Sequence, residues 1–212
     1  MMTVLERIKD HRMIGILRGY DTEDALKIAG ALVDTGFTVI EVALNSPNAK
    51  ATVRAIKEEF GDGIVLGAGT VLNTEDADDC ISAGAEFLLS PVYSKEVLDF
   101  SCDRDVLYIP GCYTPTEIYN AHKAGAGMIK VFPAGGLGAG YIKDVLAPMN
   151  ELVLLPTGGV TPGNINEFLD AGAAALGISS ALVPKGKVDR SLLEDVRGRA
   201  IKFREALSHN ED

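Results

Sequence analysis

The feature that most constrains this chain is a repeated alternation, in which a short apolar run is followed by a longer amphipathic stretch, eight times over. Short runs bounded by turn residues read as strands, and the longer periodic stretches as helices. The candidate strands are Met13–Arg18, Thr38–Ala43, Ile64–Gly69, Phe87–Ser90, Leu107–Pro110, Met128–Phe132, Leu152–Pro156 and Ala174–Ile178. Helical stretches such as Asp21–Asp34 and Asn48–Phe60 follow them. This is the signature of β-α units and a parallel sheet. Eight units predict an α/β protein, a single (β/α)₈ TIM barrel over residues 1–212, rather than an open doubly wound sheet. Met1–Asp10 is expected as an extra N-terminal helix against the bottom of the barrel, and Arg190–Leu207 as the last outer helix.

Glycine punctuates the alternation. Thr35-Gly36-Phe37, Ala83-Gly84-Ala85, Ala124-Gly125-Ala126 and Ala171-Gly172-Ala173 each fall between a helix and the next strand. The residue after a helix often takes φ > 0, which glycine adopts without penalty, so these are expected as helix stops.

Charge narrows the function. Thirty acidic residues against 20 basic ones leave a formal charge of −10, with no basic cluster to offset it locally. Such a chain repels a phosphodiester backbone, so nucleic-acid binding is not expected. A small anion remains acceptable, because backbone N–H groups bind phosphate without net positive charge. No apolar run reaches the roughly 18 residues of a membrane span, and no membrane partner is expected. The opening MMTVLERIKD lacks the apolar stretch of a secretory signal. Cys80, Cys102 and Cys112 form no C-x-x-C pair and read as reduced thiols, which points to the cytoplasm. His11, His122 and His209 are scattered, so neither a metal nor another cofactor is expected.

In such barrels the chemistry gathers where strands end and the following loops begin. Lys130 lies within the apolar strand Met128-Ile129-Lys130-Val131-Phe132, on the same face as Met128 and Phe132. Desolvation there favours the neutral amine, the form that attacks a ketone to make an imine. Glu41 holds a matching place in Val39-Ile40-Glu41-Val42-Ala43 and is a natural partner for Lys130. A carboxylate beside an imine-forming lysine can shuttle protons. The same residues could instead form a buried salt bridge with no catalytic role, or Lys130 could snorkel to the rim.

A second signal concerns phosphate. Pro156-Thr157-Gly158-Gly159-Val160 follows the seventh strand, and Gly177-Ile178-Ser179-Ser180 spans the end of the eighth. Loops at these two places often hold a phosphate, with glycines admitting close backbone approach and Ser180 adding a hydroxyl. A Gly-Gly pair is also an ordinary turn. Gly135-Gly136-Leu137-Gly138-Ala139-Gly140 lacks both the P-loop ending and the dinucleotide spacing, and is expected as a flexible loop over the site. Thr70, after Gly67-Ala68-Gly69, either orients a carboxylate or starts a turn.

Ile40-Glu41-Val42, Gly67-Ala68-Gly69-Thr70-Val71-Leu72, Ser90-Pro91, Ile109-Pro110-Gly111, Lys130-Val131-Phe132-Pro133 and Thr157-Gly158-Gly159-Val160 run in order along nearly the whole chain. In these motifs the sequence resembles the bacterial 2-keto-3-deoxy-6-phosphogluconate / 4-hydroxy-2-oxoglutarate aldolases. The resemblance implies a metal-independent class I aldolase of carbohydrate metabolism, on a (β/α)₈ barrel, commonly a homotrimer. Its substrate would be a phosphorylated keto-deoxy sugar acid, and pyruvate a product. By the same resemblance Lys130 is the Schiff-base lysine and Glu41 the general acid/base. Thr70 contacts the pyruvyl carboxylate, Pro91 and Phe132 shape the pocket, and Gly158, Gly159, Ser179 and Ser180 serve the phosphate. Where many members carry an arginine shortly after the glutamate motif, this chain has Asn45. Leu44-Asn45-Ser46-Pro47 and Ile16-Leu17-Arg18-Gly19 look more like the 6-phosphogalactonate branch, in which an arginine matching Arg18 serves the substrate anion. Two rivals use the same residues differently. A phosphate-binding isomerase barrel would need no imine, and a non-catalytic sugar-phosphate binder would keep Glu41 and Lys130 only as an ion pair.

Overall fold

The computed structural model describes residues 2–208, so Met1 of the expected first helix and His209 lie outside the described residues. A capping box starts the chain: Thr3 Oγ1 accepts the Glu6 N–H while the Glu6 carboxylate accepts the Thr3 N–H, opening α1 (Val4–His11). Strands and helices then alternate as β1 (Met13–Leu17), α2 (Thr22–Val33), β2 (Val39–Ala43), α3 (Ala49–Phe60), β3 (Val65–Gly69) and α4 (Thr74–Ser82). They continue as β4 (Phe87–Leu89), α5 (Lys95–Asp103), β5 (Leu107–Ile109), β6 (Gly111–Cys112), α6 (Pro115–Lys123) and β7 (Ile129–Val131). The last elements are α7 (Gly138–Leu146), β8 (Leu154–Pro156), α8 (Ile165–Asp170), β9 (Leu176–Ile178) and α9 (Arg190–Ser208).

Every strand expected from the apolar runs is present, each shorter by a residue or more at one or both ends. The glycine stops take the predicted backbone form, with φ of 76° at Gly36, 106° at Gly84, 103° at Gly125 and 99° at Gly172. One expectation fails. Gly138-Ala139-Gly140 is the first turn of α7, not a loop, because Ile142 and Val145 are buried and hold that helix against the sheet. Of that stretch only Gly135, Gly136 and Leu137 lie outside regular structure.

All strand pairings are parallel. Six strands lie in the order β5-β4-β3-β2-β1-β9 and three in the order β6-β7-β8, an α/β fold whose sheet curls into part of a barrel. The two groups adjoin at Pro110, which sits between β5 and β6 and has no N–H to give a ladder. Its carbonyl still accepts the Lys130 N–H at 2.9 Å. They meet again where Thr157, just past β8, bridges to Gly177 of β9.

Alternate residues of each strand enter two separate apolar clusters. Ile40, Val42, Ile129 and Val131 pack outward beneath the helices. Ile14, Val39, Val65, Phe87, Ile109, Met128 and Leu155 pack inward on one another, together with Ile8 of α1. The lower interior is therefore apolar and closed by α1. By the two-residue period of a strand, Glu41 follows Val39, Lys130 follows Met128, and Thr157 follows Leu155 on the inward face. These polar groups make up the next layer, toward the C-terminal ends of the strands.

Candidate active site

Lys130 and Glu41 are 3% and 1% exposed, so both ionisable groups are almost fully removed from water. Their strands are rigid where they sit: Glu41 pairs with Ile16 and Gly67, and Lys130 with Gly111 and Leu155. Burial pushes the Lys130 pKa down, Glu41 opposes this, and the like charge of Arg18 lowers it further. Burial pushes the Glu41 carboxyl up, against the pull of Lys130 and Arg18. Both shifts favour neutral forms, as desolvation requires.

The salt bridge of the alternative, non-catalytic reading is absent. No carboxylate oxygen of Glu41 stands within 4.0 Å of Lys130 Nζ, and Glu41 Oε2 is buried with no hydrogen-bond partner among the described residues. A buried carboxylate oxygen without a donor costs free energy, about 1–3 kcal/mol or more. A structural ion pair would have closed this gap. The amine instead faces an aromatic ring, with Lys130 Nζ 4.6 Å from the centre of Phe132.

The neighbouring loops converge on these two groups. A Cβ built on Gly69 would lie 1.5 Å from Glu41 Oε1, so the carboxylate rests against the strand end that carries Thr70. Thr70 has φ of 63°, a left-handed conformation that a β-branched residue rarely takes. Strain of this kind persists where the surroundings over-determine it, and it clusters at functional sites. Pro91 reaches the site through its backbone: a Cβ on Gly111, the register partner of Lys130, would stand 2.4 Å from the Pro91 carbonyl carbon. Tyr108 Oη donates to the Val92 carbonyl at 3.2 Å and holds the same loop.

Gly158 and Gly159 both have positive φ, 91° and 77°. A Cβ on Gly159 would lie 2.6 Å from Cα of Gly135, so the loops after β7 and β8 touch backbone to backbone. Among the described residues, no acceptor takes the N–H of Gly159 or Ser180. Such unpaired, clustered donors suit an anion. Ser179 is half-buried and Ser180 exposed, on the adjoining strand end reached through the Thr157–Gly177 bridge. Thr157, which the sequence offers only as part of the glycine loop and without a role of its own, is 3% exposed. Its Oγ1 lies over Gly177, 2.3 Å from where a Cβ would stand, and the signal for it was the same two-residue period that placed Lys130.

Arg18 follows β1 and is exposed, and its charge acts on both Glu41 and Lys130. Asn45 is exposed and takes no part in the hydrogen bonds of the loop after β2.

Comparison with known proteins identifies the family. A family profile described as KDPG and KHG aldolase matches residues 4–197. A 2-dehydro-3-deoxy-6-phosphogalactonate aldolase of Escherichia coli is 35% identical over 196 residues, 92% of this chain and 96% of that protein. A solved native KDPGal structure superposes with a TM-score of 0.87 at 35% identity, covering 93% of this chain and 94% of the other. A KDPG aldolase of Legionella pneumophila, with pyruvate captured as a covalent carbinolamine, has a TM-score of 0.83 at 26% identity and covers 98% of each chain. From the extent of the profile match and the identity over nearly its whole length, the chain belongs to the KDPG and KHG aldolase family.

Proposed function

We propose that this protein is a class I aldolase that cleaves 2-keto-3-deoxy-6-phosphogluconate, or its galactonate epimer, to pyruvate and glyceraldehyde 3-phosphate. The observation that carries this reading is a buried lysine with no ion-pair partner, set beside a buried carboxylate whose Oε2 has no donor. Burial that favours the neutral amine favours the nucleophilic form, and the open carboxylate oxygen is a place for a water or a substrate hydroxyl.

Neutral Lys130 attacks the C2 ketone and forms a carbinolamine, and loss of water leaves a protonated imine. The C4 hydroxyl gives up its proton, the C3–C4 electron pair flows into the imine, and glyceraldehyde 3-phosphate departs. The resulting enamine takes a proton at C3, and water releases pyruvate and the free amine. Glu41 moves the protons in these steps, directly or through a water. Thr70 and Arg18 hold the carboxylate, Pro91 and Phe132 shape the pyruvyl pocket, and Gly158, Gly159, Ser179 and Ser180 take the distal phosphate. Fixing the remote phosphate orients the bond to be broken, an effect worth several kcal/mol of barrier. The imine is the electron sink, so this chemistry calls on no metal or other cofactor.

The same reading takes the two adjoining strand groups as one closed (β/α)₈ barrel and the chain as one domain over residues 1–212. It places the enzyme in the cytoplasm as a homotrimer, in keeping with the family it belongs to. No helix among the described residues is long and apolar enough to cross a membrane.

Borohydride reduction in the presence of pyruvate, followed by peptide mass analysis, tests the proposal. An adduct on Lys130, with turnover of one or both phosphorylated epimers, is expected. Turnover that persists in Lys130→Ala without an adduct overturns it.

A further inference from the structure

Arg18 stands on a short arch whose feet are buried and whose crown is open. Leu17, 1% exposed, is locked into β1 by pairing with Val42, and Tyr20 is 8% exposed. Between them Arg18 and Gly19 are exposed. Gly19 has φ of 85°, and a Cβ there would meet nothing within 4 Å, so no packing holds it in this conformation. A free glycine at this point would leave the guanidinium to wander, since glycine loses more freedom on ordering than any other residue.

Two polar contacts hold the arch. The Gly19 N–H donates to Ser46 Oγ at 2.8 Å, and Ser46 is itself fixed because its own N–H donates to the Ala43 carbonyl at 3.0 Å. On the other side the Tyr20 hydroxyl donates to the Pro184 carbonyl, in the segment after β9. The arch is thus tied to the loop after β2, which continues from the strand of Glu41, and to the segment after the strand that adjoins β1. Arg18 itself has no ion pair or hydrogen bond among the described residues, so its charge is left for a ligand.

We infer that Ser46 and Tyr20 are positioning residues that latch the Arg18 arch, aiming the guanidinium at the carboxylate of the bound keto acid. This rests on the aldolase reading and adds to it a reason why a chain with Asn45 carries serine at the next position. The neutral Asn45 side chain supplies no charge. Ser46 supplies the constraint that lets a cation from β1 serve in its place.

The test uses pyruvate, which carries the carboxylate and lacks the phosphate. Borohydride trapping on Lys130 is measured against pyruvate concentration in the parent chain, Ser46→Ala, Ser46→Thr, Tyr20→Phe, Arg18→Ala and the Ser46→Ala/Arg18→Ala double variant. Losing one latch bond is expected to raise half-saturating pyruvate about threefold to tenfold, the range set by a single hydrogen bond. The extent of trapping at saturation should stay within about twofold of the parent, because Lys130 and Glu41 are untouched. Ser46→Thr, which keeps the hydroxyl, should restore the parent value. In the Arg18→Ala background, Ser46→Ala should add nothing, because coupled residues are non-additive. Parent-like half-saturation in Ser46→Ala, or a full additional loss in the double variant, overturns the latch and leaves the aldolase reading standing. A parent chain that forms no adduct on Lys130 overturns both.

Discussion

Glu41 Oε1 occupies the space that a side chain at residue 69 would need, 1.5 Å from a Cβ built on Gly69. The general acid/base of the proposed reaction is therefore placed by a missing methyl group on the neighbouring strand. Gly69→Ala should displace the whole carboxylate. A loss of about a hundredfold or more in kcat is expected, the usual contribution of a positioned proton shuttle. The accompanying destabilisation should be about 1–3 kcal/mol, as for other overpacked sites. Steady-state kinetics and urea unfolding check the two parts.

Lys130→Met should separate chemistry from stability. The apolar chain fills nearly the same space without a buried amine, so the fold should persist with a Tm equal to or above that of the parent. Aldol cleavage should fall by more than about a thousandfold, as expected for loss of a covalent nucleophile. Thermal melts and a coupled aldehyde assay are the measurements.

Arg18 also enters the pH dependence. Burial lowers the Lys130 pKa below that of an ordinary lysine, and the Arg18 charge lowers it again. The neutral amine is then populated at lower pH than in a free lysine, and the acid limb of the trapping profile lies correspondingly lower. Removing the like charge in Arg18→Ala should raise the amine pKa and move that limb to higher pH. Because Arg18 is exposed, the shift should shrink as salt is added. A pH series of trapping rates at two ionic strengths decides the matter.

The glycine loop makes a different demand. Gly159→Ala places a methyl group 2.6 Å from Cα of Gly135 and forces a side chain onto φ of 77°. KM for the phosphorylated substrate should rise about tenfold or more, in line with the loss of a few backbone contacts to phosphate. Half-saturating pyruvate in the trapping assay should change little, because pyruvate has no phosphate to lose.

His11 should set an acid limit on stability. Its Nε2 is buried without a partner, and its ring meets Phe37 edge to face at 5.2 Å. Burial, aided by the Arg204 charge and opposed by Asp10, pushes its pKa from 6.5 to about 4. The unfolded chain then binds more protons between those values. The stabilisation is complete above pH 6.5 and is lost as pH falls through 6.5 toward 4, to a total of at most about 3 kcal/mol. Urea unfolding of parent and His11→Gln at pH 7.5 and 4.5 should show a smaller pH dependence in the variant.

Much of this molecule was legible in one dimension, because period and composition act locally. The two-residue period of the strands was enough to put Glu41 and Lys130 on one face with Val39 and Met128, and both are buried there. The four Gly stops were legible because positive φ after a helix is a local steric demand. Gly138-Ala139-Gly140 reads as loop in sequence for the opposite reason: three small residues say little alone, and it is the burial of Ile142 and Val145 that makes them helical. Tertiary structure alone decided that Glu41 and Lys130 do not close a salt bridge, since that depends on where neighbouring strands stand. It likewise decided that Gly69 makes room for Glu41, that Gly159 meets Gly135, and that Ser46 holds the Arg18 arch from 27 residues away. Alternation along a strand dictates which way a side chain faces. Distances across the sheet arise only when the strands pack, and those distances determine whether a buried lysine is neutralised by its neighbour or left free to react.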